Sequence, residues 1–155
     1  MIVPIQEKIG LIQTSIDQIK NAKEDANQKV IFSAIRKIDS VNEWATITYD
    51  EANVDLGGGM DIGTGNFTVP VSGIYSFSFS GTSKYGTTRT RIEVHKNKAK
   101  QFYIFENQGT ESHDLLSTTW VMNLSQNDVI SLYVAEGGFY VHGLQPIFFN
   151  GHLLK

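Results

Sequence analysis

The alternation of apolar and polar residues that begins at Val30 constrains this chain more than any other feature of its sequence. Tyr75, Phe77 and Phe79 share one face of an extended segment, and the serines between them share the other. A period of two is typical of a β-strand with one buried side. The same pattern predicts strands at residues 47–49, 67–71, 90–94, 102–105, 118–124, 129–134 and 147–154.

Groups of turn-forming residues separate these segments. Residues 57–59 are three glycines, and residues 96–98 and 126–128 are polar groups that contain asparagine. Many short strands with turns roughly every ten residues are typical of a β-sandwich or jelly roll. Because no helical period follows Val30, we predict that the globular part is all-β.

A helical period precedes the strands. Six isoleucines recur at alternating steps of three and four residues, which is the a and d spacing of a heptad repeat. They are Ile2, Ile5, Ile9, Ile12, Ile16 and Ile19. Because isoleucine at both a and d favours three or four helices over two, we predict a trimerising coiled coil. The alternative is an amphipathic helix that folds back onto the sandwich.

The apolar stripe ends where the sequence changes character. Lys23 and Ala26 occupy the next a and d positions, and the strand pattern starts a few residues later. We therefore predict a coiled-coil helix at residues 1–29 and one globular domain at residues 30–155.

Composition and charge argue against several classes of function. The formal net charge is −3 and the cations are not clustered, so we expect no nucleic-acid partner. The absence of cysteine removes disulfides, thiol chemistry and thiolate zinc sites. The longest apolar runs fall far short of the ~20 residues of a membrane helix, so we expect no membrane insertion.

Three stretches of the strand region carry recognisable motifs. They are residues 30–36 (VIFSAIR), the uninterrupted residues 47–79 and residues 149–154 (FNGHLL). They resemble the opening strand, the core pattern and the closing strand of the globular domain of the complement C1q family. The resemblance implies a ten-stranded jelly roll of the C1q/TNF type, three copies of which pack about a threefold axis.

The sequence also departs from that family pattern. Asp55, Met60 and Asn127 stand where the family usually has asparagine, an aromatic residue and glycine. The isoleucine coil takes the place of the collagen-like stalk of the best-known members. We expect the fold to tolerate all of these differences.

Calcium is the one cofactor that the sequence leaves open. Asp50, Asp55 and Asp61 lie around the glycine run, and such carboxylates can supply oxygen ligands to calcium. We predict Asp55 and Asp61 as the candidate metal ligands. The alternative is that aspartates beside glycines form ordinary turns. Many family members bind calcium in the loop before the closing strand, where this chain offers only Glu136.

A glycine-flanked aromatic segment at residues 137–143 (GGFYVHG) is the candidate ligand site. Exposed aromatic residues on a loop suit carbohydrate or protein recognition. We predict Phe139, Tyr140 and His142 as ligand-binding residues. The alternative is that Phe139 or Tyr140 is buried in the trimer interface.

No catalytic motif accompanies these features, and the four histidines have no metal-ligand spacing. We therefore expect a non-enzymatic, secreted homotrimer whose signal peptide is not part of this sequence. Its expected partners are copies of itself and a carbohydrate or protein ligand, as in pattern recognition by innate immunity. The alternative is a structural or adhesive trimer of a matrix, coat or shell.

Overall fold

The computed structural model describes residues 2–107 and 113–154. Within them, one helix, α1 (Ile5–Asn27), precedes thirteen strands that form two antiparallel sheets. The strands are β1 (Ile31–Arg36), β2 (Val41–Asn42), β3 (Ala45–Thr46), β4 (Glu51–Leu56), β5 (Met60–Asp61), β6 (Asn66–Thr68), β7 (Gly73–Ser83), β8 (Arg89–Lys96), β9 (Ala99–Asn107), β10 (Leu115–Leu124), β11 (Val129–Glu136), β12 (Gly138–Tyr140) and β13 (Ile147–Leu153). The predicted all-β sandwich with one N-terminal helix is confirmed.

The helix α1 stands apart from the sandwich. Pro4 precedes its first residue with a φ of −54°, which suits a helix start. Gln28 leaves the helix in an extended conformation, and its N–H donates to the carbonyl of Asp25 at 3.2 Å. Every residue of α1 is exposed in the single chain. The alternative of a helix that folds back onto the sandwich is therefore wrong.

Two sheets enclose the core of the domain. In sheet A the strands follow the order β2-β12-β7-β13-β1-β4, and β10 also pairs with β7. In sheet B the order is β5-β6-β11-β8-β9, and β3 also pairs with β11. Strands distant in sequence are neighbours in both sheets, so the connections cross between the sheets as in a jelly roll. Of the strands in the described ranges, β2, β3 and β5 have two residues each.

Aromatic rings from both sheets fill the centre of the sandwich. Phe32 stacks on Phe67 with ring centroids 4.5 Å apart, and its ring meets that of Phe149 edge-on at 5.0 Å. Phe77 stacks on Trp120 at 5.6 Å. Aromatic pairs of this kind contribute about 0.5–1.5 kcal/mol beyond the burial of their area. The inward side of the alternating pattern is therefore the aromatic core.

Gly151 explains why the closing strand contains a glycine. A Cβ atom at this position would lie 2.4 Å from Cε1 of Phe32 and 2.8 Å from Cδ1 of Phe77. Any side chain would displace a ring of the core. The glycine of the closing motif is therefore required by packing.

The predicted strand at residues 47–49 is wrong. Ile47 and Tyr49 are both buried, which produces the alternating pattern, but the segment has no regular strand pairing. The Ile47 N–H donates to the carbonyl of Leu132 at 2.8 Å, and the Tyr49 N–H donates to that of Ile62 at 2.9 Å. The two buried side chains thus lie on an irregular crossing segment.

The strand β4 was missed although its sequence, EANVDL, alternates polar and apolar residues. Five of its six residues are exposed in the single chain, so the alternation marks no buried side there. The strand forms because it pairs with β1 at the edge of sheet A, with Ile31 opposite Leu56 and Ser33 opposite Val54. Pairing with β1, rather than burial of its own side chains, therefore decides this strand.

We expect Tyr49→Phe to raise the free energy of unfolding by about 1 kcal/mol. The Tyr49 hydroxyl is buried, none of the described residues gives it a hydrogen-bond partner, and burial raises its pKa. Removing it removes a desolvation penalty. Denaturant titration at fixed protein concentration measures the change.

Tyr75→Phe is the matched control. The hydroxyl of Tyr75 donates to the carbonyl of Val71 at 2.6 Å, so its removal should lower the free energy of unfolding by about 1 kcal/mol. Equal destabilisation by both variants would contradict the unpaired state of the Tyr49 hydroxyl.

Candidate recognition surfaces

Phe139 is a core residue, and its predicted role in ligand binding is wrong. The short strand β12 pairs with β7, which places Phe139 opposite Ser83. The ring is fully buried and meets Phe79 edge-on with centroids 5.3 Å apart. A Cβ at Gly81 would lie 2.8 Å from the Phe139 ring. The glycines at 137 and 138 had suggested a loop, but Gly138 is the first residue of β12, and this strand turns Phe139 inward.

Tyr140 and His142 lie on the surface. Val141 between them is buried, so strand alternation directs both neighbours outward. The Tyr140 ring lies 5.1 Å from the ring of His113. His142 is exposed at a turn in which the Gln145 N–H donates to its carbonyl at 2.7 Å. Their role in ligand binding stays a prediction.

The three aspartates of the predicted calcium loop each organise a turn. Asp61 Oδ1 accepts from the N–H groups of Gly63 and Thr64 at 3.0 and 3.2 Å. Asp55 Oδ1 accepts from the N–H of Gly59 at 3.3 Å. Asp50 Oδ2 accepts from backbone N–H groups of the segment that follows β1. In these bonds the aspartates act as ordinary turn residues, which was the alternative to calcium binding in the sequence analysis.

The structure does not gather these carboxylates into a metal site. Among residues 2–107 and 113–154, no three histidine, aspartate or glutamate side chains form a group that could hold a metal ion. Calcium at Asp55 and Asp61 therefore stays a prediction.

The outward face of sheet A is apolar near the helix. One cross-strand row there runs from Leu56 through Ile31, His152 and Ser76 to Val121. Leu56, Ile31 and Val121 are exposed in the single chain. We call this surface the sheet A face. The row crosses β1 at its first residue, Ile31, so it lies next to the end of α1.

Short side chains occupy the middle of the sheet A face. Ser76, Ser78 and Ser80 alternate along β7 with the buried rings, and Ser78 lies between Thr119 and Asn150. Short hydroxyl side chains allow another surface to approach the strand closely. The sheet A face thus combines exposed apolar residues with a shallow centre.

The outward face of sheet B has a different chemistry, with arginines beside aromatic rings. The guanidinium carbon of Arg89 lies 5.5 Å from the centre of the Phe105 ring, and that of Arg91 lies 5.5 Å from the Tyr103 ring. Both rings are exposed. Such cation–π contacts hold the rings at the surface. We call this surface the sheet B face.

The sequence contained a signal for this arrangement that was not used. Arginines alternate with apolar residues along β8, and residues 96–99 form a tight turn to β9. Asn97 and Lys98 have φ of 52° and 67°, as a two-residue hairpin turn requires. Pairing the two strands through this turn would have placed the arginines beside the rings.

An ion cluster lies next to these pairs. Glu93 is nearly buried, and its carboxylate bonds to Nε2 of His95 at 2.8 Å and accepts from Nζ of Lys100 at 3.3 Å. The pKa of Glu93 is lowered mainly by the hydrogen bond with His95 and further by Lys100, whereas burial acts to raise it. The His95 ring also stacks on Tyr133 with centroids 5.3 Å apart. The imidazole is therefore held from two sides.

Comparison with known proteins agrees with this two-sheet geometry. A family model described as C1q domain matches residues 31–154. The chain belongs to the C1q-domain family. The matched range starts with β1 and ends just after β13, so α1 lies outside it. In the described part of this C1q-domain protein, no helix is long and apolar enough to cross a membrane.

Curated relatives share the C1q domain at moderate identity. Caprin-2 of Danio rerio is 29% identical over 108 residues, which are 70% of this chain and 12% of that protein. Complement C1q tumor necrosis factor-related protein 3 of Mus musculus is 27% identical over 115 residues, 73% of this chain and 46% of that protein. The chain thus spans less than half the length of these two relatives.

Solved structures share the fold of this C1q domain. The globular domain of zebrafish complement 1qA superposes with a TM-score of 0.68 at 19% identity, and covers 81% of this chain and 98% of its own. Murine APRIL gives a TM-score of 0.65 at 12% identity, and the match covers 81% of this chain and 99% of the APRIL chain. These similarities establish a C1q/TNF-type jelly roll.

We expect Glu93→Gln to make the free energy of unfolding of this C1q domain depend less steeply on pH in the acid range. Because the folded-state pKa of Glu93 is lowered, its ionised form stabilises the fold above its ordinary pKa of 4.5. That contribution is lost as the pH falls through the lower, folded-state pKa. Free energies of unfolding measured from about pH 6 to about pH 3 should therefore decline less steeply for the variant. An unchanged slope would contradict this role.

Proposed function

We propose that this protein is a secreted, non-catalytic homotrimer that recognises carbohydrate or protein ligands, as pattern-recognition proteins of innate immunity do. Membership of the C1q-domain family supports the proposal, since C1q/TNF-type domains form trimers and are generally non-enzymatic. The observation that carries it is the isoleucine stripe on a helix with no buried residue.

The stripe on α1 needs partner helices. Ile5, Ile9 and Ile12 are more than half exposed in the single chain, although they repeat at heptad spacing. Burying an isoleucine side chain contributes about 1.5–3 kcal/mol. In proteins most of the stability of a helix comes from packing of its apolar face, and α1 has no such packing within the single chain. Isoleucine at both a and d favours three helices over two.

The sheet A face offers the second half of the same interface. Its row from Leu56 to Val121 crosses β1 at Ile31, which follows α1 after a short connection. Three helices in a coil would bring three such faces toward one axis. Helix and sheet would then be buried together.

A trimer built in this way leaves the sheet B face directed away from the axis, because sheet B lies on the other side of the core from the sheet A face. The sheet B face carries exposed rings, guanidinium groups and hydrogen-bonding side chains, which are the groups that bind glycans and protein surfaces. Three copies on one trimer would bind a repetitive surface with avidity.

Ile12→Lys should weaken the trimer and Leu11→Lys should not. The two side chains are 59% and 63% exposed in the single chain, but only Ile12 lies in the heptad stripe. Lysine in the seam would remove three buried isoleucines from one layer of the coil. We expect sedimentation equilibrium to give at least a tenfold higher midpoint concentration for dissociation of Ile12→Lys, and the wild-type value for Leu11→Lys.

Two results would contradict the trimer. One is sedimentation of the unmodified chain as a 17.3 kDa particle at micromolar concentration. The other is an equal effect of the two lysine substitutions.

Recognition should depend on the trimer. On a glycan array and in pull-downs from surface extracts, the wild type and Leu11→Lys should bind the same ligands. Ile12→Lys, assayed at a concentration where it is dissociated, should bind at least a hundredfold more weakly because avidity is lost. A trimer that binds no ligand and assembles further would overturn recognition in favour of a structural or adhesive role.

A further inference from the structure

A polar cavity of about 580 Å³ opens on the sheet B face. Its volume falls within the range of about 300–1,000 Å³ that is usual for small-molecule sites. The side chains that line it include Thr46, Thr64, Asn66, His95, Lys98 and Ser131. They come from β3, β6, β8, β11 and two turns, so the cavity forms only when the sheet is assembled.

We propose that this cavity binds a carboxylated monosaccharide unit, such as a terminal uronic acid of a glycan. The proposal rests on the proposed recognition function and gives that function a site and a ligand class.

Two turns fix the walls of the cavity. Gly65 has a φ of 77°, and a Cβ there would lie 1.9 Å from the carbonyl oxygen of Ile47, so the turn that carries Thr64 closes directly against the segment after β3. On the other side, Asn97 Oδ1 accepts from the N–H of Val129 at 2.8 Å. This bond ties the turn that carries Lys98 to β11. Walls that are held in place before binding reduce the entropy lost on binding.

The lining suits sugar hydroxyls. Thr46, Thr64 and Ser131 present hydroxyl groups that both donate and accept, and Asn66 presents an amide that does the same. A pyranose ring carries hydroxyl groups with the same dual capacity. Hydroxyl and amide side chains can therefore bind it without leaving polar groups unpaired.

His95 contributes a fixed imidazole to the wall. Its Nε2 is engaged by Glu93 at 2.8 Å, and its ring is stacked on Tyr133. Ser131 lies opposite His95 in the pairing of β11 with β8. The ligand-facing nitrogen would then be Nδ1, next to the Ser131 hydroxyl.

Charge selects an acidic sugar over a neutral one. Lys98 is the formally charged residue among those that line the cavity, and within the described chain no carboxylate belongs to that lining. A hydrogen bond between an ammonium group and a carboxylate is stronger than a neutral one. A carboxylate at C6 of the sugar would pair with Lys98 while the ring hydroxyls meet the threonines and Ser131.

The test is a titration of the uniformly ¹⁵N-labelled full chain with D-glucuronate, followed by amide NMR spectra. D-glucose is the matched control ligand, because it differs only by a hydroxymethyl group in place of the carboxylate. We expect saturable shifts at the amides of Thr64, Asn66, Lys98 and Ser131 with glucuronate, and at least tenfold weaker binding of glucose.

Lys98→Gln should weaken glucuronate binding about tenfold and leave glucose binding unchanged. The matched control Lys37→Gln removes a lysine that pairs with Glu51 away from the cavity, and should leave both affinities unchanged. Ser131→Ala should weaken both sugars and serves as the second variant if Lys98→Gln does not fold.

The proposal is overturned if glucuronate causes no saturable shift, if the shifts map elsewhere, or if Lys37→Gln matches the effect of Lys98→Gln. The NMR titration tests this cavity, whereas the glycan array tests the proposed recognition function, so the two can fail separately. A trimer that still binds ligands on the array, with no shift at the cavity, would remove this site and leave recognition by another surface.

Discussion

The packing of aromatic rings between the two sheets is the interaction on which the rest of the structure depends. Phe32 and Phe77 from sheet A meet Phe67 from sheet B with ring centroids 4.5 and 6.0 Å apart, and Phe149 packs against Phe32 at 5.0 Å. Each ring lies on a strand whose next residue points to solvent. Fixing the rings therefore also fixes which side chains form the outer surfaces.

The two outer surfaces differ in chemistry because they have different tasks in the proposed trimer. The sheet A face alternates short serines with exposed aliphatic residues, as a surface that is buried on association does. The sheet B face instead holds arginines against aromatic rings and keeps Glu93 in a network of hydrogen bonds. A single core thus supports one surface suited to self-association and one suited to recognition.

Local pattern predicted the fold well and the site poorly. Strict alternation in β7 and heptad spacing in α1 identified these elements, because each spacing matches the period of its element. The same logic failed at residues 47–49, where buried side chains lie on an irregular segment. It was not applied to β4, whose sequence alternates although its side chains are mostly exposed. Phe139 was misassigned because its flanking glycines suggested a loop, whereas pairing with β7 turns it inward.

By itself the sequence determined the fold class, the helix and its apolar stripe, and the family resemblance, because these depend on periodicity and on residues close together in the chain. Only the tertiary structure decided that Phe139 belongs to the core, that Asp50 accepts hydrogen bonds from the segment after β1, and that His95 faces Ser131 across two strands. Those contacts join residues distant in sequence, and strand order and register, which no local pattern encodes, bring them together.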